Sequence, residues 1–151
     1  MLKELNQRTD IQENKKLNDV YVRFCKLISE LESKELPAEI VSVINKDIDE
    51  LNSISDSGKI FKNQIRKTQL RIVRLIEKEL KLVAKNHYRN TWLVLGMVIF
   101  GSSLGVGIGS SLGNMAFTGI GLPIGMIIGI VIGTGLDKKA FEEGRQLDLE
   151  L

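Results

Sequence analysis

The chain has 151 residues, of which 26% are charged, and a formal net charge of +2, values that would suit an ordinary soluble domain. The charge is unevenly distributed, however, because positions 90–136 contain no Asp, Glu, Lys, Arg or His. A single cysteine excludes an intramolecular disulfide, and one cysteine with one histidine supplies neither a zinc site nor a nucleophile–base pair. The composition therefore predicts no enzyme, no metal site and no cofactor.

Residues 1–89 predict a cytoplasmic domain of about three helices. The first helix carries apolar residues at alternating spacings of four and three, which is typical of a helix packed on another helix. These residues are Leu17, Tyr21, Phe24, Ile28 and Leu31. Cys25 lies beside them and is expected to be a small core residue. A second helix is predicted after Pro37, and a third after a turn in which Asp56 or Ser57 is the N-cap.

The predicted third helix begins near Lys59, and neither Pro nor Gly interrupts it before Gly96. The sequence therefore predicts that it runs unbroken into the apolar segment. Residues 59–89 hold ten basic and two acidic side chains, whereas residues 1–58 hold eight and twelve. The basic helix could dock on the acidic pair or meet anionic headgroups. Nucleic acid is not an expected partner, because no recognition motif or stacking aromatic side chains accompany the charge.

The uncharged segment contains two stretches that are each long enough to cross a membrane as a helix. A span needs about 17–25 residues, and positions 91–112 and 120–136 supply 22 and 17. The connection at 113–119 is so short that the two helices must be antiparallel neighbours. The sequence thus predicts a transmembrane hairpin at 90–136 and a charged cytoplasmic tail at 137–151. The alternative is a hairpin buried in a soluble protein.

Basic and aromatic residues flank this predicted hairpin at its two outer ends. The expected anchors at the membrane interface are Lys85, Tyr88, Arg89, Trp92, Lys138 and Lys139. The connection between the two spans contains no basic residue. By the positive-inside rule, the chain is therefore expected to be a multi-pass protein of the inner (cytoplasmic) membrane with both termini in the cytoplasm.

Glycine recurs every four residues in both predicted spans. The positions are Gly101, Gly105, Gly109 and Gly113 in the first span, and Gly121, Gly125, Gly129 and Gly133 in the second. In lipid, small residues at this spacing let helix backbones approach closely. A single hairpin could satisfy one such ladder per helix. Two full ladders, together with Gly107 and four serines, also favour contacts between subunits and predict a homo-oligomer.

The stretch 121–140, followed by 143–147, resembles bacterial glycine-zipper membrane proteins with two transmembrane helices. This resemblance covers the C-terminal 50 residues at most, and it implies a mode of helix packing and a membrane location rather than an activity. The run 105–109 is also similar to the first helix of rotary ATPase ring subunits. Those rings need a carboxylate in the second span, and residues 113–136 contain none, so proton-driven rotation is excluded.

The predicted fold class is an all-α membrane protein, with an N-terminal helical bundle or coiled coil followed by a two-helix transmembrane hairpin. The glycine ladders favour a homo-oligomeric pore or membrane-permeabilising protein, whose helical domain serves assembly or sensing. The alternative is a non-conducting membrane anchor or scaffold that presents residues 1–89 to a cytoplasmic protein partner. The spans carry no charged ring, so a channel would need a gate lined by Leu, Val and Ile.

Overall fold

The computed structural model describes residues 1–6, 8, 11, 14–55 and 58–150. The described part is mostly helical and divides into two compact units. The N-terminal unit comprises residues within 1–82 together with 147–149, and the second unit comprises 83–146 and 150. The chain therefore divides near residue 82 rather than 89, and part of the predicted tail belongs to the N-terminal unit. The predicted N-cap at Asp56 or Ser57 lies outside the described residues.

The N-terminal unit contains three helices: α1 is Lys15–Glu32, α2 is Ala38–Asn52 and α3 is Lys59–Leu80. α3 contacts both α1 and α2, and the apolar residues of the three helices form one core. Its fully buried helical side chains include Phe24, Leu27, Leu31, Ile44, Ile48, Leu51, Phe61, Ile65, Ile72 and Ile76. The apolar periodicity predicted for the first helix corresponds to its buried face, because Leu17, Phe24, Ile28 and Leu31 are buried and Tyr21 is half-buried.

Two segments outside the predicted helices complete this core. Leu2 and Leu5 are buried near the beginning of the chain, and Leu147 and Leu149 are buried near its end. The first segment is held on α2 by side-chain amides, because the backbone N–H of Lys3 donates to the Oδ1 of Asn45 at 2.7 Å. These leucines are isolated in otherwise charged segments and show no helical periodicity, so their burial was not predicted.

The third helix does not run into the apolar segment, and this prediction was wrong. α3 ends at Leu80, and Lys81 and Asn86 have φ values of 57° and 60°. Between them lies the two-residue strand β1, Val83–Ala84, which pairs with β2, Gln146–Leu147. The N–H of Val83 donates to the carbonyl of Arg145 at 2.9 Å. This break depends on pairing with a distant segment rather than on Gly or Pro, so the local sequence carried no signal for it.

The second unit contains the two apolar helices. The first is continuous through α4 (His87–Gly96), a π-helical segment (Met97–Gly101) and α5 (Ser102–Ser111). The second begins with a 3₁₀ turn (Met115–Ile120) and continues as α6 (Gly121–Glu142). By length and composition, His87–Ser111 and Met115–Glu142 are each apolar and long enough to cross a membrane. Apolar helices of sufficient length are therefore present at both predicted positions, and the second extends further at each end than predicted.

A Schellman motif ends the first apolar helix. Gly113 has a φ of 65°, its N–H donates to the carbonyl of Ser110 at 3.2 Å, and the N–H of Asn114 donates to Gly109 at 3.0 Å. This left-handed position strongly favours glycine. The Asn114 side chain then accepts the N–H of Ala116 at 2.9 Å and starts the 3₁₀ turn. Gly113 thus serves the turn, and no atom lies within 4 Å of the position of a Cβ there.

Candidate functional site

The two glycine ladders face each other within one chain. A Cβ atom at Gly121 would lie 2.5 Å from the Cα of Gly105, and one at Gly125 would lie 2.7 Å from the Cα of Gly101. Real Cβ atoms essentially never approach other atoms this closely. The absent side chains therefore determine how closely the two helix backbones approach, which is the use of small residues expected for helices in lipid.

Towards the start of α4, the α6 ladder packs against the backbone of larger residues. A Cβ at Gly129 would lie 2.8 Å from the carbonyl carbon of Trp92, and one at Gly133 would lie 2.5 Å from the Cα of Arg89. Trp92 and Arg89 were predicted only as anchors at the membrane interface. Their backbones also form part of the contact between the helices, while the Arg89 side chain is exposed.

At the other end of the hairpin, both ladder glycines of α5 lie against the 3₁₀ turn, and Gly105 also lies against Gly121 of α6. A Cβ at Gly105 would lie 3.2 Å from the carbonyl carbon of Thr118, and one at Gly109 would lie 2.8 Å from its Oγ1. The Thr118 Oγ1 is buried and has no hydrogen-bond partner in the part of the chain that the structure describes. Seven of the eight ladder glycines are therefore in close contact inside the hairpin, with Gly113 as the exception.

Gly96, which lies outside the two ladders, is an eighth glycine in this contact, and a π-helical segment brings it there. A Cβ at Gly96 would lie 2.7 Å from the Cα of Gly129. Gly96 precedes Gly101 by five residues rather than four, so in a regular α-helix the two would not share a face. The segment Met97–Gly101 is π-helical and accommodates one extra residue in a single turn. The four-residue period in the sequence could not reveal this, because it stops at Gly101.

Asp137 joins the two apolar helices through hydrogen bonds that the sequence analysis missed. Its side chain is 7% exposed although it lies on α6. The carboxylate accepts the backbone N–H of Tyr88 at 3.0 Å and that of Arg89 at 2.9 Å. Both donors are in the first turn of α4, where N–H groups have no partner within the helix. Asp137 was assigned to the charged tail because it is the first charged residue after the uncharged segment.

The outer surface of the hairpin is apolar. Val98, Ile127 and Val131 are each more than 60% exposed. The hydroxyl of Ser103 donates to the carbonyl of Ile99 at 2.8 Å, and Ser102 donates to Val98 in the same way, so both hydroxyl groups bond to their own helix. The charged residues predicted to lie at a membrane interface, Lys85, Arg89, Lys138 and Lys139, are exposed. Tyr88 and Trp92 are half-buried.

The N-terminal unit contains a cavity of about 600 Å³ whose lining includes Leu5, Tyr21, Cys25 and Ile28. Burial raises the pKa of Tyr21 to about 12 and also raises the pKa of the Cys25 thiol. The Tyr21 hydroxyl donates to the carbonyl of Leu5 at 3.2 Å. Burial thus disfavours the reactive thiolate and phenolate forms. Among the described residues, no group of three or more His, Cys, Asp or Glu side chains is placed to hold a metal ion.

No protein-family model, curated protein or solved structure matches this chain. The fold and the contact between the glycine ladders define a mostly helical protein with two closely packed helices that are apolar enough to span a membrane. Its resemblance to glycine-zipper proteins remains an expectation from sequence.

Proposed function

We propose that this chain is an integral membrane protein whose hairpin anchors the helical N-terminal unit at the cytoplasmic face of the inner membrane. In this role the hairpin does not form a conducting pore, and the N-terminal unit is a scaffold for a cytoplasmic protein partner. The observation that carries the proposal is the contact of the ladder glycines with the opposite half of the same hairpin. Because this close-packing surface is already covered, a second copy of the chain is not needed to cover it.

The outer surface of the hairpin supports the same role. Exposed Val, Ile and Leu side chains cover both apolar helices, as expected for contact with lipid tails. An aqueous path would need polar groups or a wide opening along its wall, and the Ser102 and Ser103 hydroxyls are already bonded to their own helix. Exposed Lys85, Arg89, Lys138 and Lys139 are near the outer ends of the two helices, which favours cytoplasmic termini under the positive-inside rule.

Reconstitution of the full chain into liposomes tests the non-conducting anchor. The protein should resist extraction by carbonate, and vesicles that contain it should retain a trapped dye at every protein density. Native mass spectrometry in detergent should find one chain per particle. Dye release that grows with protein density would contradict the anchor, as would a closed ring of several chains.

A homo-oligomeric pore or membrane-permeabilising protein is the second candidate, and the outward face of α5 favours it. Ser103, Gly107 and Ser111 repeat at four-residue spacing and are all exposed, and a Cβ at Gly107 would meet no atom within 4 Å. Such a face suits close contact with another helix in lipid. This candidate predicts that Gly107→Leu abolishes assembly and dye release while the hairpin itself stays folded. The anchor predicts that Gly107→Leu changes neither measurement.

A further inference from the structure

One face of α3 is basic and exposed to solvent. Its exposed basic residues are Lys59, Arg66, Lys67, Arg74 and Lys78. The opposite face holds Phe61, Ile65, Ile72 and Ile76, all fully buried against the rest of the N-terminal unit. α3 therefore turns its apolar side to α1 and α2 and leaves most of its positive charge outside.

The acidic helices of the same unit do not neutralise this face. Arg71 pairs with Asp47 at 2.8 Å and with Glu50 at 3.4 Å, at the edge where α3 meets α2. Arg66, Lys67 and Arg74 form no ion pair with any residue that the structure describes. Docking of the basic helix on the acidic pair, one of the two expectations from sequence, therefore involves Arg71. Lys78 pairs with Glu79 of its own helix at 3.3 Å, and Arg66, Lys67 and Arg74 remain available.

Apolar side chains lie among these cations. Leu70 is 55% exposed and lies between Arg66 and Arg74, one helical turn from each, and Ile60 is 67% exposed near the start of the helix. Exposed apolar residues flanked by Lys and Arg are typical of helices that lie in a membrane interface. In such helices the apolar side chains enter the headgroup layer while the cations contact lipid phosphates.

We infer that this basic face of α3 binds the anionic phospholipid headgroups of the leaflet next to the hairpin's outer ends. The face is complementary in charge to that surface. Covalent connection also keeps it near, because only residues 81–86 separate α3 from His87, the first residue of the first apolar helix. Seven residue steps span at most about 25 Å of extended chain. The inference rests on the proposed membrane insertion of the hairpin.

A fluorescent label on the basic face tests the inference in nanodiscs that contain the full chain. In a Cys25→Ala background, Asn63→Cys places the only thiol between Lys59 and Lys67 on the exposed face. The label should be quenched several-fold more by headgroup spin-labelled lipid when the disc contains phosphatidylglycerol than when it contains only phosphatidylcholine. Added salt should reverse the difference, because exposed charges are screened beyond roughly 10 Å at 0.1 M.

The matched control is Ser42→Cys, an exposed position on α2, which should respond little to the anionic lipid. Arg66→Glu combined with Arg74→Glu should abolish the response at Asn63→Cys. Arg23→Glu combined with Lys26→Glu, an exposed pair on α1, should preserve it. An equal response at the two labelled positions, or a response unaffected by the first pair of substitutions, would overturn the inference.

Fluorescence of the single tryptophan distinguishes failure of this inference from failure of the proposed function. Trp92 belongs to the first apolar helix, so brominated lipid should quench its fluorescence if the hairpin is inserted. Quenching of Trp92 without a lipid-dependent response at Asn63→Cys would overturn only the binding of α3 to headgroups. Absence of Trp92 quenching would overturn both the membrane anchor and the inference built on it.

Discussion

The carboxylate of Asp137 accepts a hydrogen bond from the backbone N–H of Arg89 at 2.9 Å, across 48 positions of sequence. A second bond from the N–H of Tyr88 makes Asp137 a cap for the first turn of α4, supplied by a different helix. A carboxylate at this end also interacts favourably with the helix dipole. The relationship fixes how α6 and α4 align along their length, in addition to the distance that the glycines set.

Asp137→Ala should lower the free energy of unfolding of the hairpin. Loss of a capping side chain typically costs about 0.5–2 kcal/mol, and here two partly buried N–H groups lose their acceptor together. Asp137→Asn should cost less, because its amide oxygen can still accept one of the two bonds. Titration with a denaturing detergent, followed by circular dichroism, measures the effect. Glu142→Ala is the control, since Glu142 is exposed on the same helix and its pair with Lys138 is long, at 3.8 Å. Equal stability of Asp137→Ala and Glu142→Ala would argue against the cap.

Gly125→Ala should destabilise the hairpin, whereas Gly107→Ala should leave it unchanged or slightly more stable. A methyl group at Gly125 would overlap the backbone of the opposite helix, and one at Gly107 would meet open space. Alanine is otherwise the better helix former by up to about 1 kcal/mol. The free energy of unfolding should therefore fall for Gly125→Ala and stay the same or rise slightly for Gly107→Ala. The same detergent titration compares them. Destabilisation of similar size at both positions would show that the glycines do not act through the contact seen here.

Deletion of Val98 should be tolerated far better than deletion of Leu104. Both residues are exposed and apolar, and each deletion shortens the helix equally. Removing Val98 from the π-helical segment leaves Gly96 and Gly101 four residues apart, which a regular α-helix places on one face. Removing Leu104 instead turns Gly105 and Gly109 by about 100° away from the contact. Thermal unfolding of the two variants in the same detergent provides the comparison, and equal loss of stability would contradict the role of the π-helical segment.

The free energy of unfolding of Asp47→Asn, measured relative to that of the unsubstituted chain, should increase as the pH rises from 3 to 7. Burial raises the pKa of Asp47 above its ordinary value of 3.8, and Arg71 only partly offsets this effect. The folded state therefore holds the proton more strongly than the unfolded state, and Asp47 contributes most to stability below pH 3.8. That contribution is lost as the pH rises through the folded-state pKa.

Chemical unfolding of the full chain at several pH values, followed by circular dichroism, measures this difference. Asp49→Asn serves as the control, because Asp49 is 54% exposed and pairs with Lys3 at the surface. The Asp47→Asn variant should gain stability over the unsubstituted chain with rising pH, while Asp49→Asn should show no such gain. A difference that stays constant, or that decreases with pH, would contradict the burial effect at Asp47.

Regular periodicity explains which parts of the fold could be predicted. Phe24, Ile44 and Ile65 lie on apolar stripes of about 3.6 residues, and all three are fully buried. The two apolar helices were recognisable because an uncharged segment of that length is rare outside membranes. The end of α3 at Leu80 was not predictable in this way. It depends on strand pairing between Val83 and the segment after α6, and on a left-handed conformation at Lys81, a residue type that rarely adopts it.

The sequence by itself determined that two glycine-rich helices form and that their glycines lie at four-residue spacing, because a helix needs only local hydrogen bonds and local periodicity. Only the tertiary structure decided what those glycines contact. In the structure, seven of the eight ladder glycines contact the other half of the same hairpin. A π-helical turn places Gly96 in the same contact, and the Asp137 carboxylate accepts a hydrogen bond from the first turn of α4. These choices depend on the alignment and rotation of one helix against another, and no local pattern contains that information.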